Sequence, residues 1–555
     1  MIRLFRPSQD LPLIGRPSAL GLTLGALAFA ASLTPSLIPR AGLMQGALAG
    51  LCFAFGYLFG YALIVLWGWM LAGRPPAPAA RQRLYLQIAL LISVVVIGLA
   101  LTQVTGWQND IHRGMNIAPV ESARPFTILG VGLAVSALFL LIGRLFRRLW
   151  RWIAAQLEPW VPGRMARVAG IVLALMCFWA IGNDMVVGRI LAALDRSYAA
   201  LDQMMPTEQA PPADPLKTGS AASLASWEGL GATGRAWVLD QPDAAAISAV
   251  TGRAALEPLR IYIGLSNAGT ADDRAALALR EALRVGAFER RRLVLAFPTG
   301  TGWMDPAGMQ PLDYLSDGDV AAVAVQYSWL PSWMSLFLQP EYGAETADAV
   351  FREIYGHWRK MPEETRPELY LFGLSLGARN GELPISWPDL LSDPPAGALW
   401  VGPPFAMRGW QQLRHARRED SPAWAPRYRD GSAIRVMTQE VQQGRDYAEW
   451  GVMRMVFLAY PSDPIAWFNT SIFWRAPDWL EGERGPDVSQ SLRWWPGITF
   501  LQLGFDMMTA TSTPPGYGHV YAARDYLKAW DAVLGTAASP ELLGRIEAVL
   551  EAQGL

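Results

Sequence analysis

Long apolar runs without a charged residue occupy the first third of the chain. Five of them follow one another, over residues 18–39, 41–73, 84–109, 125–143 and 168–183. A helix needs about 20 apolar residues to cross a bilayer, and four runs reach that length while the fifth nearly does. The first run is long for a signal peptide and leads directly into further runs. The pattern predicts a membrane domain of about five helices over residues 1–187, in contact with the lipid bilayer.

The pattern changes after these runs. Residues 204–223 are rich in Pro, Ala, Ser and Thr, a composition typical of linkers. We therefore expect a linker over residues 188–224 and a second domain over residues 225–555.

Short apolar strands alternate with helical segments in the second domain. The predicted strands cover residues 259–264, 293–297, 320–327, 369–372, 398–401 and 454–460. Buried strands that alternate with helices are typical of a mostly parallel sheet covered on both faces. The sequence thus predicts an α-helical transmembrane bundle followed by an α/β domain.

Composition and charge exclude several kinds of site. The net charge is −1, so no bulk positive charge favours nucleic-acid binding. Cys52 and Cys177 both lie in apolar runs, and no cysteine follows them, which excludes a cysteine-based zinc site in the second domain. A G-x-G-x-x-G match at residues 229–234 follows no strand, and no histidine pair has metal-ligand spacing. We therefore expect neither a metal nor a cofactor.

The strongest chemical motif is Gly373-Leu374-Ser375-Leu376-Gly377. It follows an apolar strand and precedes a helix-compatible stretch, which is the setting of the G-x-S-x-G nucleophile elbow. The tight turn leaves no room for side chains at Gly373 and Gly377, and it lifts the serine hydroxyl clear of the sheet. The motif predicts Ser375 as a nucleophile.

A serine nucleophile needs a base, and the base needs an orienting carboxylate. In this fold the order along the chain is serine, acid, histidine. Of the four histidines, only His519 follows a suitable acid. Asp463 comes directly after the strand at 454–460 and is the predicted acid, with Asp478 and Asp487 as alternatives.

The predicted oxyanion hole uses two backbone N–H groups. One is that of Leu376, directly after the nucleophile. The other belongs to the glycine-containing loop after the strand at 293–297, where Thr299, Gly300 and Thr301 remain open as donors.

An ordered set of segments resembles a known family. The segments are PTGTGW (298–303), GLSLG (373–377), ALWVGPP (398–404), YPSDP (460–464) and PPGYGH (514–519). They are similar to those of the bacterial membrane-anchored α/β-hydrolases that carry an N-terminal multi-span region. The resemblance implies a hydrolase with catalytic Ser375, Asp463 and His519, and it leaves the substrate open.

Tryptophan-rich stretches flank these motifs, at residues 329–334, 467–479 and 494–495. Aromatic clusters of this kind favour an apolar substrate or a mouth that contacts the membrane. We therefore expect an esterase- or lipase-like serine hydrolase that cleaves a small apolar ester through an acyl-enzyme. The alternatives are an acyltransferase with the same triad and a non-catalytic membrane scaffold.

The arginines predict which side of the membrane each segment faces. They are frequent before the first run and after the second and fourth runs, and sparse after the first and third. Cytoplasmic loops are enriched in Lys and Arg. With five crossings and a cytoplasmic N-terminus, the catalytic domain is expected on the extracytoplasmic side of the cytoplasmic (inner) membrane.

Overall fold

The computed structural model describes residues 17–70, 78–180, 210–330, 334–335, 340–439 and 447–555. Its internal contacts divide the chain into two units. The first unit combines the N-terminal helices with two later segments, Thr470–Ala476 and Ser489–Asp506. The second unit contains the remaining described residues. Much of the predicted linker at 188–224 lies outside the described residues, and its bounds stay a prediction.

The first unit is built from apolar helices. They are α1 (Ala19–Ser32), α2 (Gly42–Met70), α3 (Ala79–Gly114), α4 (Pro125–Leu157) and α5 (Gly163–Ala180). Among the described residues, four helices, α2 to α5, are long and apolar enough to cross a membrane. The 14 residues of α1 rise only about 21 Å, against about 30 Å of hydrocarbon. Of the helices described in the five apolar runs, the shortest is therefore α1 in the first run, although the fifth run is the shortest in sequence.

Proline explains why α1 ends early. Thr34 precedes Pro35, and a residue before proline disfavours the helical conformation. The carbonyl groups left open at this end find partners: Gln45 Nε2 donates to Ser32 O at 2.9 Å, and Gln502 Nε2 donates to Thr34 O at 3.0 Å. Both carbonyl groups are therefore satisfied inside the protein.

Glycines let the helices of the first unit approach one another closely. A Cβ added at Gly50 of α2 would lie 2.6 Å from the carbonyl oxygen of Gly132 in α4, and one at Gly56 would lie 2.5 Å from that of Leu24 in α1. Small residues at such crossings are typical of helix packing in membranes.

A buried polar cluster lies among these helices, and we call it the Arg40 cluster. Arg40 Nε donates to Asp506 Oδ1 at 2.7 Å, and both side chains are almost fully buried. Ser36 Oγ donates to the other oxygen of Asp506, and Arg40 Nη1 donates to Gln45 Oε1 at 3.0 Å. Asp506 belongs to the helix Ile498–Met508, which we call the returning helix because it comes from far along the chain. Each charge in the cluster has an opposite charge beside it.

The second unit contains a parallel sheet of seven strands among its described residues. They are β1 (Leu259–Ile263), β2 (Arg292–Phe297), β3 (Val320–Val325), β4 (Glu368–Leu374), β5 (Gly397–Val401), β6 (Ile434–Met437) and β7 (Arg454–Leu458). Their order is β1-β3-β2-β4-β5-β7-β6, and all pairs are parallel. The predicted α/β fold class is confirmed. The strand not predicted is β6, an edge strand of four residues interrupted by Arg435.

Helices connect the strands and cover the sheet. They are α6 (Gly231–Leu239), α7 (Ala244–Thr251), α8 (Ala271–Arg284), α9 (Pro306–Leu315), α10 (Pro340–Trp358), α11 (Leu376–Glu382), α12 (Trp387–Ser392), α13 (Arg408–His415), α14 (Pro464–Trp467), α15 (Ala523–Leu534) and α16 (Pro540–Ala552). Every residue of β2, β3 and β5 is buried, as expected for strands covered on both faces. Since the strands are parallel, the carboxyl ends of β2, β4 and β7 lie at one edge of the sheet.

Candidate active site

Ser375 lies in the turn between β4 and α11. Its backbone has φ +56° and ψ −123°, a conformation that side-chain-bearing residues rarely adopt. Its N–H donates to the carbonyl oxygen of Val401 at 2.8 Å, which ties the turn to the end of β5. This is the strained strand–turn–helix geometry of a nucleophile elbow.

The two glycines of the motif have no space for a side chain. A Cβ at Gly373 would lie 2.5 Å from the backbone of Gly377 and Ala378. A Cβ at Gly377 would overlap the carbonyl oxygen of Phe297 at the end of β2. The turn therefore packs its backbone directly against the neighbouring strand.

The structure brings Asp463 and His519 together from segments 56 residues apart. His519 Nδ1–H donates to Asp463 Oδ2 at 2.7 Å, and the side chains are 6% and 0% exposed. The other oxygen of Asp463 accepts the N–H of Ile465 at 2.9 Å, because Asp463 is the N-cap of α14. The carboxylate thus has a fixed orientation toward the imidazole.

Ser375 and His519 line the same cavity, which has a volume of about 600 Å³. The imidazole nitrogen that faces away from Asp463, Nε2, is buried and has no hydrogen-bond partner among the described residues. No hydrogen bond therefore joins it to Ser375 in this conformation. Catalytic hydrogen bonds are often long or poorly aligned without a substrate.

The alternative acids have other partners. Asp487 Oδ2 accepts the hydroxyl of Ser462 at 2.5 Å and the amide of Gln439 at 2.5 Å, and burial raises the pKa of Asp487 to about 6. Asp478 is half-exposed and pairs with Arg414 at 3.1 Å. Ser462 in turn accepts the N–H of Gly518, so Asp487 supports the loop that carries His519.

One of the three proposed oxyanion donors in the loop after β2 is already engaged. The N–H of Thr299 donates to the carbonyl oxygen of Trp303 at 3.2 Å. Thr299 and Thr301 both line the cavity. The N–H of Thr299 would have to leave Trp303 to serve as the donor, and Thr299, Gly300 and Thr301 all stay predictions. Leu376 is the first residue of α11, where backbone N–H groups have no partner within the helix.

Two family models match this chain. One, described as "Alpha/beta-hydrolase family", matches residues 259–545, which include the whole sheet and every residue of the candidate site. The other, described as "Alpha/beta-hydrolase family N-terminus", matches residues 33–242. The chain belongs to this α/β-hydrolase family. A search of curated proteins and of solved structures found no match.

Sequence reasoning missed Tyr521 at this α/β-hydrolase site. Its hydroxyl donates to Asp463 Oδ2 at 2.8 Å and accepts the N–H of Tyr460 at 3.3 Å. Its ring stacks on Tyr460, with ring centroids 4.3 Å apart, and meets the imidazole of His519 edge-on. Burial and the Asp463 charge raise the pKa of Tyr521 well above its usual value, so the hydroxyl stays protonated and donating.

Gly402 is a second residue that the sequence did not single out. It has φ +51°, and a Cβ there would lie 2.5 Å from Cε1 of His519. The glycine after β5 therefore leaves the space that the imidazole occupies. Gly402 lies in the ALWVGPP segment (398–404). Its contact with His519, 117 positions later, could not be predicted from the local sequence.

Asp305 is a third missed residue, and it is the N-cap of α9. It lines the cavity, its Oδ2 accepts the hydroxyl of Tyr526 at 3.0 Å, and its Oδ1 accepts the N–H of Ala307 at 3.0 Å. Burial raises the pKa of Asp305 to about 6.

The cavity wall differs from the one expected from the tryptophan-rich stretches. Among the described residues, none of those tryptophans lines the cavity. Trp467 and Trp479 are buried in the core, whereas Trp474 is exposed. The apolar lining instead includes Trp303, Leu374, Ile465, Met507, Met508 and Val520.

Proposed function

We propose that this α/β-hydrolase is a membrane-anchored serine hydrolase that cleaves esters of apolar acyl groups. One observation carries the proposal. A buried aspartate–histidine pair leaves its second imidazole nitrogen unpaired in the cavity that also contains the elbow serine. Other buried polar atoms of the described residues also lack a partner, but this one belongs to a residue that lines the same cavity as the elbow serine. We take the missing partner to be the Ser375 hydroxyl, which forms the hydrogen bond to His519 Nε2 when a substrate is bound.

In the first step, Ser375 Oγ attacks the ester carbonyl carbon while His519 Nε2 takes the hydroxyl proton. The negative charge that develops on the carbonyl oxygen is stabilised by the N–H of Leu376 and one N–H of the loop after β2. The C–O bond to the leaving group then breaks, His519 gives it the proton, and an alcohol departs. Asp463 holds the imidazole in the required orientation throughout.

In the second step, water replaces the alcohol. His519 Nε2 takes a proton from water as its oxygen attacks the acyl-enzyme carbonyl. The bond to Ser375 Oγ breaks, and the serine regains its proton from His519. The products are a carboxylic acid and the free enzyme, so the atoms balance without a cofactor.

The cavity lining supports an apolar acyl group. Two methionines, Met507 and Met508, contribute flexible and polarisable side chains, which adapt to irregular apolar ligands. The volume of about 600 Å³ lies within the range of small-molecule sites.

The experiment that tests this function is ester hydrolysis by the purified full-length protein. We expect turnover of p-nitrophenyl esters with neutral apolar acyl chains, and loss of that turnover in Ser375→Ala. The chain offers a matched control in Ser266→Ala, since Ser266 lies in the similar segment GLSNA (264–268) and is exposed. Equal loss in both variants, or full activity of Ser375→Ala, would refute the proposal. Free acid as product in the presence of added alcohols distinguishes hydrolysis from acyl transfer.

For topology, we propose that the catalytic domain faces the extracytoplasmic side. The arginine pattern fits five crossings, and the described end of α1 supports the first of them. Ser32 O and Thr34 O at the end of the helix accept from Gln45 and Gln502, which supports a crossing by a short helix and the segment that follows it. If α1 did not cross, the arginine-rich segments before the first run and after α2 would lie on opposite sides of the membrane. If the fifth run did not cross, the catalytic domain would be cytoplasmic.

Reporter fusions after residue 225 test the topology. We expect an active alkaline phosphatase and a non-fluorescent GFP at this position. An inactive phosphatase with a fluorescent GFP would place the domain in the cytoplasm and refute the five-crossing arrangement.

A further inference from the structure

The catalytic cavity contains a carboxyl group outside the proposed triad. Asp305 lines the cavity together with Ser375 and His519, yet it contacts neither Ser375 nor the Asp463–His519 pair through a hydrogen bond. Its two described hydrogen bonds come from Ala307 N–H and from the Tyr526 hydroxyl, both neutral donors. No cation pairs with it among the described residues, so its negative charge acts on whatever occupies the cavity.

A capping role alone does not require this placement. Asp243, Ser386 and Ser539 cap α7, α12 and α16 from positions outside the cavity. A neutral serine caps a helix as well as aspartate does. Burying a carboxylate without a cation is costly, and the position of Asp305 therefore calls for a reason other than helix capping.

We propose that Asp305 is a specificity-determining residue that makes the catalytic cavity select neutral acyl groups over anionic ones. The inference rests on the proposed ester hydrolysis and names the substrate class more closely. In an apolar cavity, the Asp305 carboxylate repels a second negative charge on the acyl chain strongly, because little water screens the two charges. The same repulsion favours departure of the carboxylic acid product once it ionises.

The titratable groups around Asp305 allow a pH test. His519 lines the same cavity and is bound by Asp463, Tyr526 donates to Asp305, and Tyr521 and the last residue, Leu555, also line the cavity. Burial raises the pKa of both tyrosines well above the usual value, so they stay neutral over the working range. His519 and Asp463 act on every ester, so their effects cancel in a ratio of two substrates. The carboxyl of Asp305, with its pKa raised to about 6, then sets the pH dependence of that ratio.

The test compares two p-nitrophenyl esters of similar shape, the monoadipate and the 6-methylheptanoate. The adipate carboxyl is ionised above about pH 5. In the unmodified protein, the ratio of kcat/KM for adipate over methylheptanoate should rise as the pH falls from 8 to 5.5, because Asp305 becomes protonated. In Asp305→Asn, which keeps a capping side chain of the same shape, the ratio at pH 8 should be about tenfold higher and independent of pH.

Two controls separate charge from structure. Tyr526→Phe removes a hydrogen bond that lowers the pKa of Asp305, and Asp243→Asn alters another N-cap aspartate far along the chain. In Tyr526→Phe the ratio should stay pH-dependent, with its rise moved to higher pH. In Asp243→Asn it should match that of the unmodified protein. A ratio in the unmodified protein that does not change with pH overturns the inference, and this readout needs no variant. Equal loss of turnover on both esters in Asp305→Asn, with an unchanged ratio, also overturns it by showing a purely structural role. If the unmodified protein turns over neither of the two esters, the proposed function itself is refuted.

Discussion

The two units of the molecule each bury a polar cluster around an aspartate, and the clusters differ in completeness. In the Arg40 cluster, Asp506 pairs with a permanent cation, and none of the buried side-chain atoms of Arg40, Gln45 or Gln502 lacks a partner. In the second unit, Asp463 is bound by His519, Tyr521 and Ile465, but His519 Nε2 has no partner.

The difference shows how stability and chemistry use the same interactions. A charge pair with all hydrogen bonds made holds separate segments together, and it has no group left to act on a ligand. A cluster with one open nitrogen, on a residue that lines a cavity, can take and return a proton. We therefore expect substitutions around Asp463 and His519 mainly to reduce catalysis, and substitutions in the Arg40 cluster mainly to reduce stability.

The largest effect is expected at His519. His519→Ala should lower kcat for ester hydrolysis by about 10⁶-fold, because triad members act as a unit. The matched control is His415→Ala, since His415 is exposed and its Nδ1 lies 2.7 Å from Gln411 O. Steady-state kinetics on both variants decide the point. Equal rates in His519→Ala and the unmodified protein would remove His519 from the mechanism.

The next largest effect is expected at Asp463. Asp463→Asn should lower kcat by about 10³–10⁴-fold while the protein stays folded, because the amide favours the wrong imidazole tautomer. Asp487→Asn is the critical comparison, since Asp487 was an alternative acid and binds Ser462 instead of the imidazole. Its loss of kcat should be far smaller. If Asp487→Asn were the more damaging change, the assignment of the acid would be reversed.

Substitutions in the Arg40 cluster should lower the free energy of unfolding. Asp506→Ala leaves the buried Arg40 charge unpaired and should lower the free energy of unfolding by about 3–5 kcal/mol. Unfolding of the purified protein in detergent measures the change. The double variant Arg40→Met with Asp506→Leu should recover most of it, because both charges are then removed. A single variant as stable as the unmodified protein would show that the pair contributes nothing. Asp348→Ala, which breaks an exposed pair with Arg352, serves as the control and should have little effect.

The smallest effect is expected at Tyr521. Tyr521→Phe removes one donor from Asp463 Oδ2 and should lower kcat roughly tenfold with KM unchanged, because the carboxylate then orients the imidazole less firmly. The N–H of Tyr460 also loses its acceptor, so the free energy of unfolding should fall by about 1–3 kcal/mol. A change in KM alone, with kcat preserved, would contradict a role through Asp463.

The two clusters also differ in how far the sequence predicts them. Ser375, Asp463 and His519 were singled out because the elbow motif and the order of acid and base follow from the chemistry of the fold. Tyr521 was missed, since a tyrosine two positions after the histidine carries no local signal of its contact with Asp463. Arg40 and Asp506 are 466 positions apart, and no periodicity or motif connects residues at that separation.

In the secondary structure, too, the features with a strong local sequence signal were predicted, and those with a weak signal or with distant partners were not. The buried strands were predicted from their apolar runs, because a strand covered on both faces needs apolar residues throughout. The edge strand β6 was missed because its four residues are only partly buried. The first apolar run was expected to be a full span, but Pro35 ends its helix, and the partners that make the short helix possible come from Gln45 and Gln502.

Covalent labelling tests the central claim most directly. A fluorophosphonate reacts preferentially with a serine that is activated as a nucleophile, and mass spectrometry of the labelled full-length protein locates the modified residue. We predict a single adduct on Ser375, its absence in Ser375→Ala, and its near-loss in His519→Ala. An adduct on another serine, or full labelling of Ser375→Ala, would contradict the account.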